Sequence, residues 1–148
     1  EIDMLKQYLA LQALRMPQSL SYEIHLAPEV NVYQEIPALF LQPYVENAIQ
    51  HGLLNKTSPG RLIITFEAKG MKGLQVQITD DGIGRAAAEA LKAKGKKQHI
   101  SMGMQLVRER KKIIELMMNS GVQVETIDLE KEGKAAGTQV DIYFELVD

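Results

Sequence analysis

An α+β fold, with helices gathered on one face of a mixed, mostly antiparallel sheet, is what this sequence predicts. Three observations lead there. Two-residue alternation of apolar and polar side chains marks Leu20 to Leu26 and the stretch from Arg61 to Ile78. Helical spacing marks the N-terminus, the run before His51 and the stretch after Gly103. The resulting order of helix, strand, helix, hairpin, loop, helix and two strands lacks the regular strand-helix alternation of a doubly wound parallel sheet.

Each element has its own signal. Ile2, Leu5, Leu9 and Leu14, widened by Leu11 and Met16, predict an entry helix over residues 2 to 16 that Pro17 stops. Leu20, Tyr22, Ile24 and Leu26 alternate with Ser21, Glu23 and His25 as in a half-buried strand, which turns His25 to the polar side. Pro37 suits a first helical position, and the apolar run from there to His51 predicts a core-facing helix, kinked at Pro43 and ended by Gly52. Leu62, Ile64, Phe66 and Ala68, then a turn over Lys69 to Gly73, then Leu74, Val76 and Ile78, predict a hairpin that delivers Asp80 at its end. Arg85 to Lys94 suits a short helix, whereas the basic, glycine-interrupted run to His99 has no core face and predicts a mobile loop. Leu106, Val107, Ile113, Ile114, Met117 and Met118 predict an amphipathic helix ending near Asn119 and Gly121, before strands near Val122 to Leu129 and Thr138 to Leu146.

Composition bounds the function. A chain of 148 residues, 45% hydrophobic and 24% charged, suits one globular domain with a real core. A net charge of -2 with a pI near 6.0 leaves no electrostatic footprint for nucleic acid, so neither DNA nor RNA is an expected partner. The lack of cysteine excludes disulfides and thiolate metal sites. No apolar run approaches the ~20 residues that span a bilayer, and no signal peptide opens the chain, so a soluble piece without direct membrane contact is expected. The start at Glu1, without Met and already in helical periodicity, suggests a segment of a longer protein.

Two polar clusters carry the chemistry. Asn47, Gln50 and His51 stand three and four residues apart on a helix and share an edge, where an amide oxygen of Asn47 suits magnesium, a hard ion that keeps several waters. Glu46 beside them is a candidate to orient or deprotonate a water. A solvated polar edge explains Asn47 and His51 equally well when that helix is taken alone. In Asp80-Asp81-Gly82-Ile83-Gly84, a carboxylate at a strand end can accept from an adenine amino group while the glycines let backbone approach the ligand. A plain Asp-Gly turn competes, above all for Asp81. Ser101-Met102-Gly103 offers free amides at the start of the long helix, a seat for phosphate. Walker and Rossmann glycine patterns are both absent, so any nucleotide site is of another kind.

The run Leu41-Gln42-Pro43-Tyr44-Val45-Glu46-Asn47-Ala48-Ile49-Gln50-His51-Gly52 closely resembles the N box of LytS/YehU-type sensor histidine kinases in the GHKL ATPase superfamily. Asp80 to Gly84 resembles the first glycine box of that family, Ser101 to Met104 the second, and Gly137-Thr138-Gln139-Val140 the last. The entry helix resembles the linker that precedes the catalytic domain. The resemblance implies a two-layer Bergerat sandwich binding ATP and Mg2+, with a flexible lid over about residues 85 to 102, and it divides the chain into a linker helix over 1 to 16 and a catalytic domain over 17 to 148. It implies that Asn47 ligates magnesium, that Asp80 reads adenine, that Gly82, Gly84 and Gly103 shape the pocket, that Thr138 lies near the adenine end, and that Gln50, His51, Ser101 and Met102 belong to the ATP site.

Three positions depart from the family pattern: Gln50 replaces a basic residue, Ser101 the first glycine of its box and Leu106 an asparagine. None of His25, His51 and His99 stands in an acceptor segment like that of the family. The expected function is therefore the donor half of a histidine kinase, passing the ATP γ-phosphoryl group to a histidine on a separate upstream dimerisation domain. A response regulator, a homodimeric intact protein and a cytoplasmic position beneath an inner-membrane sensor follow by the same resemblance, with this fragment monomeric. A GHKL-type ATP hydrolase using Glu46 and a degenerate nucleotide-gated interaction module are the alternatives.

Overall fold

The computed structural model describes residues 1–16, 19–37, 40–94, 108, 109, 112 and 121–146. Helix α1 spans Ile2–Arg15, α2 spans Gln42–Asn47 and continues as a π-helical segment over Ala48–Leu53, and α3 spans Arg85–Lys94. The strands are β1 (Leu20–Leu26), β2 (Gly60–Lys69), β3 (Gly73–Asp80), β4 (Val122–Lys131) and β5 (Lys134–Glu145). They form one sheet in the order β1-β2-β3-β5-β4, in which β1 and β2 are parallel and the other neighbours antiparallel. A parallel pair needs a crossover connection, and α2 with its π segment supplies it.

Register turns alternation into a core. Ile24, Ile64, Ile78, Val140 and Thr126 lie side by side across the five strands, and Leu26, Phe66, Val76, Ile142 and Val124 form the next row on the same face. Leu5 and Leu9 of α1, and Val45, Ile49 and Leu53 of α2 and the π segment, are fully buried against that face. Phe144 is likewise fully buried, with Phe40 edge-on at a centroid distance of 5.2 Å. Burying a side chain of this size contributes about 1.5–3 kcal/mol each. The opposite face carries Glu23, Arg61, Thr79, Gln139 and Asp141, joined by polar contacts such as Arg61 to Glu23 at 3.0 Å and Gln139 to Asp141 at 2.9 Å. Helices on one face of a mixed, mostly antiparallel sheet are thus the observed architecture, as the sequence predicts.

Several boundaries differ from the sequence reading. The second helix begins at Gln42 rather than Pro37, which places Pro43 in its first turn. Amides there have no partner within the helix, so Pro43 costs no hydrogen bond and produces no kink. Gly52 does not end the helix; it lies inside the π segment, whose wider turn is closed by the Leu54 amide donating to the Ile49 carbonyl at 2.8 Å. Strand β5 begins at Lys134, four residues before the expected Thr138, because Glu132 (φ 54°) and Gly133 (φ 76°) form a two-residue turn of the kind that matches strand twist. Arg108, Glu109 and Lys112 are helical. The remainder of the helix expected after Gly103, and the loop expected over Gly95 to His99, lie outside the described residues.

Candidate functional site

A further core-facing row consists of Tyr22, Leu62, Asp80, Thr138 and Asp128, so the apolar face of the sheet ends in polar groups. Asp80, the last residue of β3, is only 4% exposed. Its Oδ1 accepts the Gly82 amide at 2.9 Å. Burial pushes the carboxyl up from 3.8 to about 6; the backbone amides of Gly82 and Thr138 and the charge of Lys56 pull the other way, and neighbouring Asp81 adds to the rise. Near neutral pH this group is an ionised acceptor held in a largely apolar place.

Glycines from three separate segments make that place possible. A Cβ on Gly52 would stand 2.7 Å from Asp80 Oδ1, and one on Gly82 would run into the Gly52 backbone. Gly137 has φ +125° and presses against the Asp80 carbonyl, a conformation and an approach that L side chains do not tolerate. Beside the carboxylate opens a cavity of about 270 Å³, walled by Ala48, Ile78, Ala88 and Val140. A largely apolar slot with a buried carboxylate in its lining suits a ring system with a hydrogen-bond donor on its edge.

The π segment decides which polar residues reach the slot. Sequence spacing on an α-helix groups Asn47 with Gln50 and His51. With i→i+5 bonding the turn widens, and Asn47 shares the cavity with His51 and Gly52 instead. Gln50 is exposed and outside the lining. Asp80, Gly84 and Thr138 line the cavity with Asn47 and His51, and Gly82 supports Asp80 from behind. Glu46 is not in the lining: its Oε1 accepts from Gln42 Nε2 at 2.9 Å, and its charge, after burial, helps push the Tyr8 hydroxyl up to about 12. Asp81 is occupied by the Arg61 amide at 2.7 Å and Lys56 Nζ at 3.1 Å, which makes it a structural turn residue. Ser101, Met102 and Gly103 lie outside the described residues.

Three contributors escape the sequence reading. Gly52 and Gly137 shape the ground around Asp80, and only their close approach in space reveals why they are glycine. Arg85, in the cavity wall, forks onto Asp128 with Nε–Oδ1 and Nη2–Oδ2 both at 2.8 Å.

In fold the chain is similar to histidine kinase catalytic domains. The catalytic domain of histidine kinase ThkA matches at a TM-score of 0.64 and 18% identity, covering 97% of this chain and 90% of that one. In sequence it is similar to LytS-type sensor kinases. "Sensor protein LytS" of Oceanobacillus iheyensis is 38% identical over 84 residues, 57% of this chain and 14% of that protein. "Sensor histidine kinase BtsS" of Escherichia coli strain K12 is 35% identical over 81 residues, 55% of this chain and again 14% of that protein. The matched segments thus span about one-seventh of the length of these relatives. No protein-family model matches the chain.

Proposed function

We propose that this chain binds ATP with Mg2+ in the Asp80 cavity and acts as the phosphoryl-donor domain of a sensor histidine kinase. The observation that carries the reading is a buried, ionisable carboxylate in the lining of a largely apolar cavity, with glycines packed against it. The slot accepts an adenine ring, with Asp80 taking a hydrogen bond from its amino group, Gly82 holding the carboxylate in place and Thr138 beside them. At about 270 Å³ it lies just under the ~300 Å³ at which ligand pockets usually start, room for a base whose phosphates extend outward past Asn47 and His51. Ser101, Met102 and Gly103 complete the phosphate contacts in this reading.

Asn47 is the residue that would hold magnesium. Among the described residues no group of three or more acidic or histidine side chains is arranged for a metal, which suits an ion that takes one or two protein oxygens together with phosphate oxygens. Magnesium supplies charge neutralisation on the triphosphate. The γ-phosphorus separates from its bridging oxygen and bonds to an imidazole nitrogen on the upstream domain, ADP leaves, and the imidazole gives up a proton. This chain contributes position and orientation. His25 lies on the polar side of β1, 2.7 Å from Glu23, and His51 lies in the cavity, so neither is the acceptor.

The partners are an upstream dimerisation domain carrying the acceptor histidine, from which the linker helix over 1 to 16 leads in, and a response regulator. The intact protein is a homodimer with this monomeric domain in the cytoplasm beneath an inner-membrane sensor; among the described residues no helix is long and apolar enough to cross a membrane. Hydrolysis through Glu46 is not favoured, since Glu46 stands apart from the cavity lining. Calorimetric titration with a non-hydrolysable ATP analogue tests the reading. Saturable binding, strengthened by Mg2+ in wild type but not in Asn47→Ala, is expected; a folded wild-type chain that binds no analogue would overturn it. Transfer of labelled γ-phosphate to the acceptor histidine in the intact kinase tests the chemistry.

A further inference from the structure

Helix α3 is weakly held by its own packing. Ala88 is the buried side chain among those described on it, while Arg85, Ala86, Ala87, Glu89 and Leu91 are exposed. Yet Arg85, Ala88 and Glu89 form one wall of the cavity. Something else must fix the first turn of this helix over the slot.

The bidentate pair does so. Arg85 opens α3 directly after Gly84, and its guanidinium meets the Asp128 carboxylate through two parallel hydrogen bonds of 2.8 Å, joining α3 to β4 across 43 residues of sequence. Asp128 stands opposite Thr138, which stands opposite Asp80, so the tie crosses the sheet row that ends the cavity. Fork-to-fork geometry fixes orientation as well as distance, which a lysine in place of Arg85 would not do. Both side chains are about half exposed, at 52% and 55%, so removing either leaves the fold intact.

We propose that Arg85 and Asp128 are positioning residues, a strap that holds the first turn of α3 against the bound nucleotide and governs how slowly it leaves; this rests on the nucleotide reading of the cavity. The competing role for Arg85 is direct contact with the ligand phosphates. The two roles part company at Asp128. A strap is broken equally from either end, whereas a phosphate-contacting arginine is set free when Asp128 is removed.

The test is stopped-flow binding of a fluorescent ATP analogue with Mg2+ to the 148-residue chain and to Arg85→Ala, Asp128→Ala, the double variant, Arg85→Lys and the reversed pair Arg85→Asp with Asp128→Arg. Each alanine variant should raise the dissociation rate about three- to fivefold, the range an exposed but well-formed pair can supply, with the association rate unchanged. The double variant should be no worse than either single one, the reversed pair should recover most of the loss, and lysine only part. Dissociation unchanged or slowed in Asp128→Ala, or association slowed in Arg85→Ala, would overturn the strap. Absence of binding by the wild-type chain would instead defeat the nucleotide reading, and the strap with it.

Discussion

Replacing Asp80 by asparagine should stabilise this domain while weakening its hold on a nucleotide. The carboxyl is 4% exposed, and burial lifts it from 3.8 to about 6. The fold therefore binds that proton more tightly than the unfolded chain does. Between about pH 4 and 6 the native state carries more protons, so stability falls as pH rises through that window. Below it the carboxyl is neutral in both states and costs nothing extra; above it the charged form destabilises the fold by about 3 kcal/mol at pH 7.5 and about 1.5 kcal/mol at pH 5. Asparagine keeps the shape and an oxygen for the Gly82 amide, now 2.9 Å from Oδ1, but carries no charge. Allowing for weaker hydrogen bonds to a neutral acceptor, the variant should gain roughly 1–3 kcal/mol at pH 7.5. Urea denaturation of both proteins at pH 7.5 and pH 5 measures it. The gain should shrink by about 1.5 kcal/mol at the lower pH. A variant less stable than wild type at pH 7.5, or a difference that ignores pH, would refute the reasoning, because the buried charge would then carry no cost. A domain that keeps a destabilising carboxylate in its interior points to what the carboxylate binds.

Gly52→Ala should place its Cβ 2.7 Å from Asp80 Oδ1, turning the carboxylate away from the Gly82 amide or displacing the π segment. A loss of about 1–3 kcal/mol by denaturation and at least a tenfold drop in nucleotide affinity by calorimetry are expected. Phe144→Ala, at a fully buried position against Phe40 and far from any ligand chemistry, should cost about 3–5 kcal/mol in the same denaturation assay. Where that variant remains folded, its nucleotide affinity should stay within about twofold, well under the 1.4 kcal/mol that a tenfold change represents.

Much of the fold is legible in local pattern. The entry helix, β1 and the hairpin of β2 and β3 fall where periodicity puts them, since each buries one regular face. The start of β5 is not legible, because Lys134-Ala135-Ala136-Gly137 shows no alternation and joins the sheet through pairing with β4. The π segment is not legible either. Its extra residue satisfies no local preference; it brings Gly52 beneath Asp80, a contact between residues 28 apart in sequence. For the same reason Asn47 and His51 reach the cavity while Gln50 faces solvent, although an α-helical wheel gives all three one edge. Asp80 is legible as a strand-end carboxylate beside glycines, but its burial is a property of register, which sets it in the core-facing row with Leu62 and Thr138. The tie between Arg85 and Asp128 joins two exposed charges without any sequence signature.

The central claim is that an adenine nucleotide sits against Asp80. Amide chemical-shift mapping of the isotopically labelled chain during titration with ADP and Mg2+ tests it most directly. The largest changes are expected at Gly52, Gly82, Gly84 and Thr138, and they should be lost in Asp80→Asn. Saturating ADP that leaves those four amides unmoved, or moves only residues elsewhere, such as Val32 and Tyr33 beside the start of α1, would contradict it.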